Sequence, residues 1–386
     1  MDYKSLPTPC FIVHEAKMRE SVVNIRESLA RYWSNSILSF SVKTNSMPEV
    51  NRILASENVW AEVVSDFEFD HALSCGYKRG NFVCNGVSKS PSYIRKAIDS
   101  NSILHLDSIS EVQQFFEIVG DSECTFGVRI NATESDFNAE PLSGPLASRF
   151  GLSARDGDMV RIQDLLRQHP NAKLTSLHLH CNTKTRGING YLWLTHFFSR
   201  LVKEYSLSDV STFDIGGSFG HDFDHPADGE GRWPSWNEYF AAISSALKSE
   251  GFTPDNLHLV IEPGSSLISG CVDYLTRIVG ERTFNGQRVL QMDGSRIHLD
   301  PHFARASFAG AMKVISDSES RRASTSSQPT AYIGGSTCLE KDRIPADDAI
   351  STSSPSDLIL FQKAGAYTYG LSPALFINPL PKVVLN

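Results

Sequence analysis

Between residues 8 and 262 short apolar runs alternate with longer amphipathic stretches, and the alternation repeats about eight times. Residues 8–14 predict a strand after a turn. Residues 15–32 predict a helix, with Met18, Val22, Val23, Ile25 and Leu29 at close to helical spacing. Ile37, Leu38, Phe40 and Val42 read as a buried strand, broken by Thr44, Asn45, Ser46 and Pro48. Further strands are predicted at 60–64, 81–84, 102–106, 124–131, 174–180, 211–215 and 257–262. Helices at 49–56, 66–75, 90–99, 109–119, 156–168, 189–205 and 235–249 separate them.

Strand-then-helix units at this spacing predict a (β/α)8 TIM barrel; an open doubly wound sheet fits the alternation but not the strand count. Polar residues stand just past the strands: Lys43, Ser65, Asn85, Asp107, Arg129, His180, Gly216 and Glu262. A barrel gathers such positions on one face, where active sites lie. After about residue 265 the helical period fades, and short strands are predicted at 271–279, 288–292, 311–315, 331–333, 357–361 and 381–385. The expected organisation is therefore a barrel over 17–264 and a β-rich domain from 1–16 and 265–386. Residues 133–147 and the low-complexity stretch 316–329 read as loops.

Composition narrows the function. Of the 386 residues 41% are hydrophobic and 21% charged, ordinary for a soluble globular protein. The net charge of −8 argues against a nucleic-acid binder. No apolar run approaches a membrane span, and the polar start Met1-Asp2-Tyr3-Lys4-Ser5 shows no secretory signal. Seven cysteines without CxxC spacing read as free thiols in a cytoplasmic protein, and no metal site is expected.

Five stretches carry candidate chemistry. Lys43, at a strand end, is either an amine nucleophile or a lysine snorkelling from the core. In Leu177-His178-Leu179-His180 the two histidines share one strand side, as base, ligand, stacking plate or satisfied structural residues. Gly216-Gly217, directly after a strand, form either a phosphate cradle or a plain tight turn. Glu262-Pro263-Gly264 ends a buried strand in a carboxylate, suited to a cationic group such as a protonated pyridine or to capping the next segment. Cys338, beside Gly334 and Gly335, is either a reactive thiol or packing. Together these residues describe a pyridoxal phosphate site, with Lys43 carrying the cofactor and Glu262 keeping its ring nitrogen protonated.

Here the chain resembles the fold-type III pyridoxal-phosphate-dependent decarboxylases, the group of diaminopimelate, ornithine and arginine decarboxylases. The resemblance runs from Thr8-Pro9 to about Asn378. Val42-Lys43-Thr44-Asn45 matches the lysine motif, and Glu62 to Glu68 a cofactor-proximal segment. Arg149-Phe150-Gly151 matches a basic–Phe-Gly motif. The resemblance implies that His180 stacks on the pyridine ring and that Thr183 and Tyr367 bind the phosphate with Gly216, Gly217 and Gly264. It also implies a homodimer with shared sites, in which Cys338 of the Cys-x3-Asp motif protonates the product in trans. Asp342 and Arg149 are then the expected substrate contacts.

The departures concern the substrate end. Cys181-Asn182, Ser218 in place of a third glycine, and Ser265 in place of an arginine are unusual. Residues 292–302 lack the Arg-Pro-x-Leu-Tyr motif, and Leu339 replaces an acid. The expectation is therefore decarboxylation of an amino-acid-bearing intermediate, such as a siderophore or antibiotic precursor. The alternatives are a diaminopimelate or basic amino acid decarboxylase of primary metabolism, a racemase, or a non-catalytic regulator.

Overall fold

The computed structural model describes residues 1–132, 148–180, 186–220, 232–305, 308, 311–316, 331–345, 353–372 and 381–386. The loops expected at 133–147 and over most of 316–329 lie outside these residues. The chain forms two compact units: Arg19–Lys43 with Asn51–Leu267, and Met1–Met18 with Thr44–Val50 and Ile268–Asn386.

The first unit is a closed barrel of eight parallel strands, β2 (Ser36–Ser41), β3 (Trp60–Val63), β4 (Phe82–Cys84), β5 (Ile103–Leu106), β6 (Cys124–Ile130), β7 (Ala172–Leu179), β8 (Thr212–Asp214) and β9 (His258–Ile261). β9 pairs back onto β2 and closes the ring, so the barrel has no free edge. The expected TIM barrel is what the chain adopts. Its strands are short because each apolar run is cut by a polar residue at the C-terminal end.

Helices fill the crossovers. They include α1 (Glu15–Tyr32), α2 (Pro48–Ser56), α3 (Asp66–Ser74), α4 (Pro91–Asp99) and α5 (Ile109–Val119). After these come α6 (Asp158–Gln168), α7 (Ile188–Glu204) and α8 (Trp236–Ser249). Serines recur as the starting signal: Ser65, Ser90, Ser108 and Ser235 each accept a backbone N–H three residues on. Ser235 and Glu238 complete a reciprocal capping box. α4 shows how the sequence pins a helix, since Pro91 sits in its first turn and Tyr93, Ile94 and Ala97 are buried. Burying a large apolar side chain of this kind contributes about 1.5–3 kcal/mol.

The second unit is a β-sheet of order β12-β15-β10-β11-β13-β14. Its strands are β10 (Val272–Phe284), β11 (Gln287–Met292), β12 (Met312–Ile315), β13 (Ala331–Gly334), β14 (Arg343–Pro345) and β15 (Leu358–Phe361). β1 (Cys10–Val13) joins antiparallel to β10 and parallel to β16 (Lys382–Leu385). Cys10, Ile12, Leu275, Leu358 and Leu360 form one buried cluster of this sheet.

Two elements depart from the expected pattern. β10 runs to Phe284, past the apolar stretch that predicted an end at 279. The cause is the Asn285-Gly286 turn, both residues at positive φ (48° and 74°), which closes a two-residue hairpin onto β11. β14 was not anticipated, because three residues ending in proline carry little strand signal.

Candidate active site

Lys43 lies two residues past β2, in a single 3-10 turn spanning Val42–Thr44, and its side chain is 42% exposed. Its amine reaches Glu62 on β3, where it forms an ion pair, and donates to Ser41 Oγ at 2.6 Å. Ser41 in turn donates to Glu62 Oε2 at 2.5 Å. The register of β2 on β3 sets Ser41 beside Glu62, so the strand pairing itself builds this triad. Burial works against the Glu62 charge, but Lys43 and the Ser41 and Asn85 hydrogen bonds outweigh it and hold the carboxyl below its ordinary range.

Glu262, just past β9, is 6% exposed. Its Oε1 accepts from Asn85 Nδ2 at 2.6 Å, and its Oε2 lies 3.7 Å from His178 Nε2. One nitrogen of His178 and one oxygen each of Asp214 and Glu262 lie within 4.8 Å of one another. Burial pushes Glu262 well above the carboxylate range, with Asp214 and Glu62 adding repulsion and Lys43 opposing. Burial likewise raises Asp214 to about 7, against hydrogen bonding from Gly216. His178 and His180 are pushed down by burial and by Arg129, His180 to about 3. Both are therefore neutral rings at physiological pH, and among the described residues neither nitrogen of His178 has a hydrogen-bond partner.

His180 follows β7, and its Nδ1 accepts from the Gly217 N–H at 3.2 Å. Gly216 has φ +72°, and a Cβ there would stand 2.4 Å from His180 Nδ1. A Cβ on Gly217 would stand 2.4 Å from the Glu262 carbonyl. These glycines let the turn after β8 close against the histidine, with the Gly216 N–H donating to Asp214 Oδ1 at 2.8 Å. Ser218, in place of the usual third glycine, is held at φ +65°. Gly264 is buried in the turn after Glu262, its carbonyl accepting from Leu267 N at 3.0 Å.

A lysine amine at a barrel mouth, a glycine turn and a buried carboxyl among two further carboxyls converge here, with Arg129 facing the carboxyls. Residues 15–269 match the pyridoxal-dependent decarboxylases, at their pyridoxal binding domain. The chain belongs to this family. The decarboxylase is 24% identical to diaminopimelate decarboxylase of Helicobacter pylori over 99% of this chain and 90% of that protein. Its fold is similar to the crystal structure of Helicobacter pylori diaminopimelate decarboxylase complexed with L-lysine, with TM-score 0.78, 21% identity and coverage of 99% and 92%. It is similar also to lysine/ornithine decarboxylase from Vibrio vulnificus complexed with cadaverine, with TM-score 0.76, 20% identity and coverage of 99% and 96%. The enzyme is thus a pyridoxal-phosphate-dependent carboxy-lyase. The residues present fit that cofactor, since Lys43 offers an amine and a protonated ring nitrogen would offset the carboxyls gathered at Glu262.

The barrel brings together Lys43, His180, Gly216, Gly217, Glu262 and Gly264. Thr183 lies outside the described residues. Arg149 is exposed, its guanidinium 4.3 Å from the Phe150 ring, which Arg129 also approaches at 4.6 Å. In the second unit Cys338 is an exposed free thiol. Asp342 is buried, and its carboxylate is occupied. It accepts from Ser295 Oγ (3.0 Å), Arg296 N (2.8 Å), Thr337 N (3.0 Å) and Thr337 Oγ1 (2.6 Å). That pattern ties the loop before Cys338 to the turn after β11, where a direct substrate contact was expected. Tyr367 is 47% exposed, at φ +54°, and its N–H donates to the Thr44 carbonyl at 2.8 Å.

Sequence reasoning missed the parts played by Glu62, Ser41, Asp214 and His105. A readable signal did exist: carboxylates and a histidine inside runs such as Trp60-Ala61-Glu62-Val63 and Leu104-His105-Leu106 cannot sit in a buried strand without partners. Which partners they take depends on register, and periodicity does not supply register.

Proposed function

We propose that the enzyme removes the α-carboxylate of diaminopimelate or a related basic amino acid, working as a homodimer with shared sites. The observation that carries this reading is Lys43, its amine held between Ser41 and Glu62 at the end of the strand that pairs with the one leading to the buried carboxyl of Glu262. The relatives support the basic amino acid over a siderophore or antibiotic precursor.

Each residue has a proposed task. Lys43 would hold the cofactor through its amine. Glu62 and Ser41 take up the Lys43 amine when it is released, which keeps it ordered within reach. Glu262 faces the pyridine nitrogen, and neutral His180 lies against the ring. Gly216, Gly217, Gly264, Thr183 and Tyr367 hold the phosphate, and Arg149 contacts the substrate. Bound pyridoxal phosphate supplies the sink for the electron pair left when CO2 departs. Cys338, acting across the dimer, delivers the proton to that carbon, and Asp342 fixes the loop that presents it.

A second reading, decarboxylation of an amino-acid-bearing precursor, draws on Leu339. This residue is 40% exposed beside Cys338, where an acid would meet a basic substrate. Incubation with diaminopimelate, lysine, ornithine, arginine and larger amino-acid-bearing metabolites, read as mass loss of CO2, tests both. Turnover of a basic amino acid is the expected result, and turnover of larger precursors alone would install the second reading. Wild-type protein that binds no pyridoxal phosphate would overturn both.

A further inference from the structure

Three neighbouring strands place His105 of β5, Gly127 of β6 and Ser176 of β7 in register across the barrel wall. The missing side chain at Gly127 is what lets the outer two meet. A Cβ there would stand 2.6 Å from His105 Cδ2 and 2.8 Å from Ser176 Cβ. Over that gap His105 Nε2 and Ser176 Oγ lie 2.7 Å apart, and His105 Nδ1 lies 2.9 Å from Asn85 Oδ1. Asn85 then spends its two amide hydrogens on two carboxylates, Glu262 Oε1 at 2.6 Å and Glu62 Oε1 at 3.2 Å.

The direction of this chain is forced. Glu62, held ionised by Lys43, only accepts, so the amide nitrogen must face it and the amide oxygen must face His105. His105 therefore carries its proton on Nδ1, and Nε2 accepts from the Ser176 hydroxyl. Burial, Lys89 and Arg129 push His105 down to about 3, which keeps the ring neutral and the tautomer fixed. A flipped Asn85 would set its oxygen against two carboxylates.

We propose that Asn85, locked by His105 and Ser176 over the Gly127 gap, is a positioning residue that clamps Glu62 and Glu262 and favours the charged form of Glu262. The proposal rests on the reading that Glu262 meets the pyridine nitrogen. The clamp links the carboxylate that takes up the Lys43 amine to the one that holds the ring, so one amide sets both ends of the cofactor site.

The test is titration of apoenzyme with pyridoxal phosphate across pH, followed by absorbance, with folding checked by circular dichroism. Asn85→Ala should weaken binding roughly ten- to a hundredfold, the value of one hydrogen bond to a charged group. It should also move the pH at which binding strengthens upward, because Glu262 keeps its proton longer without its donor. Lys43, Glu62, Arg129, His178 and Asp214 also face Glu262 and are common to both proteins, so the difference reports Asn85. Gly127→Ala should shift both readouts the same way without removing any polar group. His105→Gln, whose amide can still donate to Asn85, should stay near wild type, while His105→Leu should resemble Asn85→Ala. That pair carries the test if Asn85→Ala does not fold. Wild-type affinity and pH profile in Asn85→Ala, Gly127→Ala and His105→Leu, with Glu262→Gln altered in both, would overturn the clamp alone. An unaltered Glu262→Gln would remove the role of Glu262 and the clamp with it.

Discussion

Gly216→Ala is the sharpest perturbation of the site, because two separable penalties meet there. The first is conformational: φ is +72°, and an L-residue in that region costs about 1–2 kcal/mol. The second is steric: the new Cβ would stand 2.4 Å from His180 Nδ1 and 2.9 Å from its Cβ and Cγ. Relief requires the ring or the turn to move by about an ångström, which breaks the 3.2 Å hydrogen bond from Gly217 N, worth about 0.5–1.5 kcal/mol. The expected destabilisation is therefore about 1.5–3.5 kcal/mol. Gly76→Ala provides the control, since Gly76 has φ +99° and nothing within 4 Å of its Cβ position. It should show the conformational cost alone, about 1–2 kcal/mol. Parallel denaturant melts of the two apoenzymes measure the difference, and cofactor titration should find Gly216→Ala weakened and Gly76→Ala unchanged. Equal destabilisation, together with equal cofactor affinity, would refute the claim that the turn is built against His180.

Other perturbations reach the remaining parts of the site. Lys43→Ala should lose the visible absorbance of bound cofactor, and Cys338→Ala should slow amine formation roughly 10²–10⁴-fold; mixing the two variants should restore part of the rate, and no recovery would count against shared sites. Asp214→Asn should flatten the apoenzyme's pH dependence. Its carboxyl rises from 3.8 to about 7 on folding, so its stabilising protonation is complete below about pH 4 and lost as pH climbs to about 7. An unchanged fall in stability across that window in chemical denaturation would refute the assignment. Ser218→Gly should gain about 1 kcal/mol by relieving the φ of +65°, and a loss in the same melts would contradict it.

The barrel was legible because its strands and helices differ in period, and its chemistry because the strands end in residues that an apolar core does not accept. Lys43 and Glu262 stood out by that test. Asn85 stood out as a polar strand end too, yet its task did not, since bridging Glu62 to Glu262 depends on side chains 23 and 177 residues away. Gly127 carried no signal inside its strand, since its meaning lies in His105 and Ser176 on either side. In the β-rich unit the Asn285-Gly286 pair carried a hairpin signal that apolar density hid, because β10 turns polar before it turns back. Asp342 read as a substrate contact from its motif, and its hydrogen bonds to Ser295, Arg296 and Thr337 were not legible there because they depend on the fold.

The pairing of β1 with β10 and β16 has a consequence for the order in which the protein matures. Every barrel strand leaves the ribosome before β10, so the barrel can close during translation. The Cys10–Val13 strand is made before the barrel, yet its partners Val272–Leu275 and Lys382–Leu385 are made only after it. Until then it is an unpaired, wholly apolar edge and a natural client for a chaperone. Slowing translation should lengthen that exposure, and lowering expression temperature should favour soluble protein by slowing aggregation of the waiting strand.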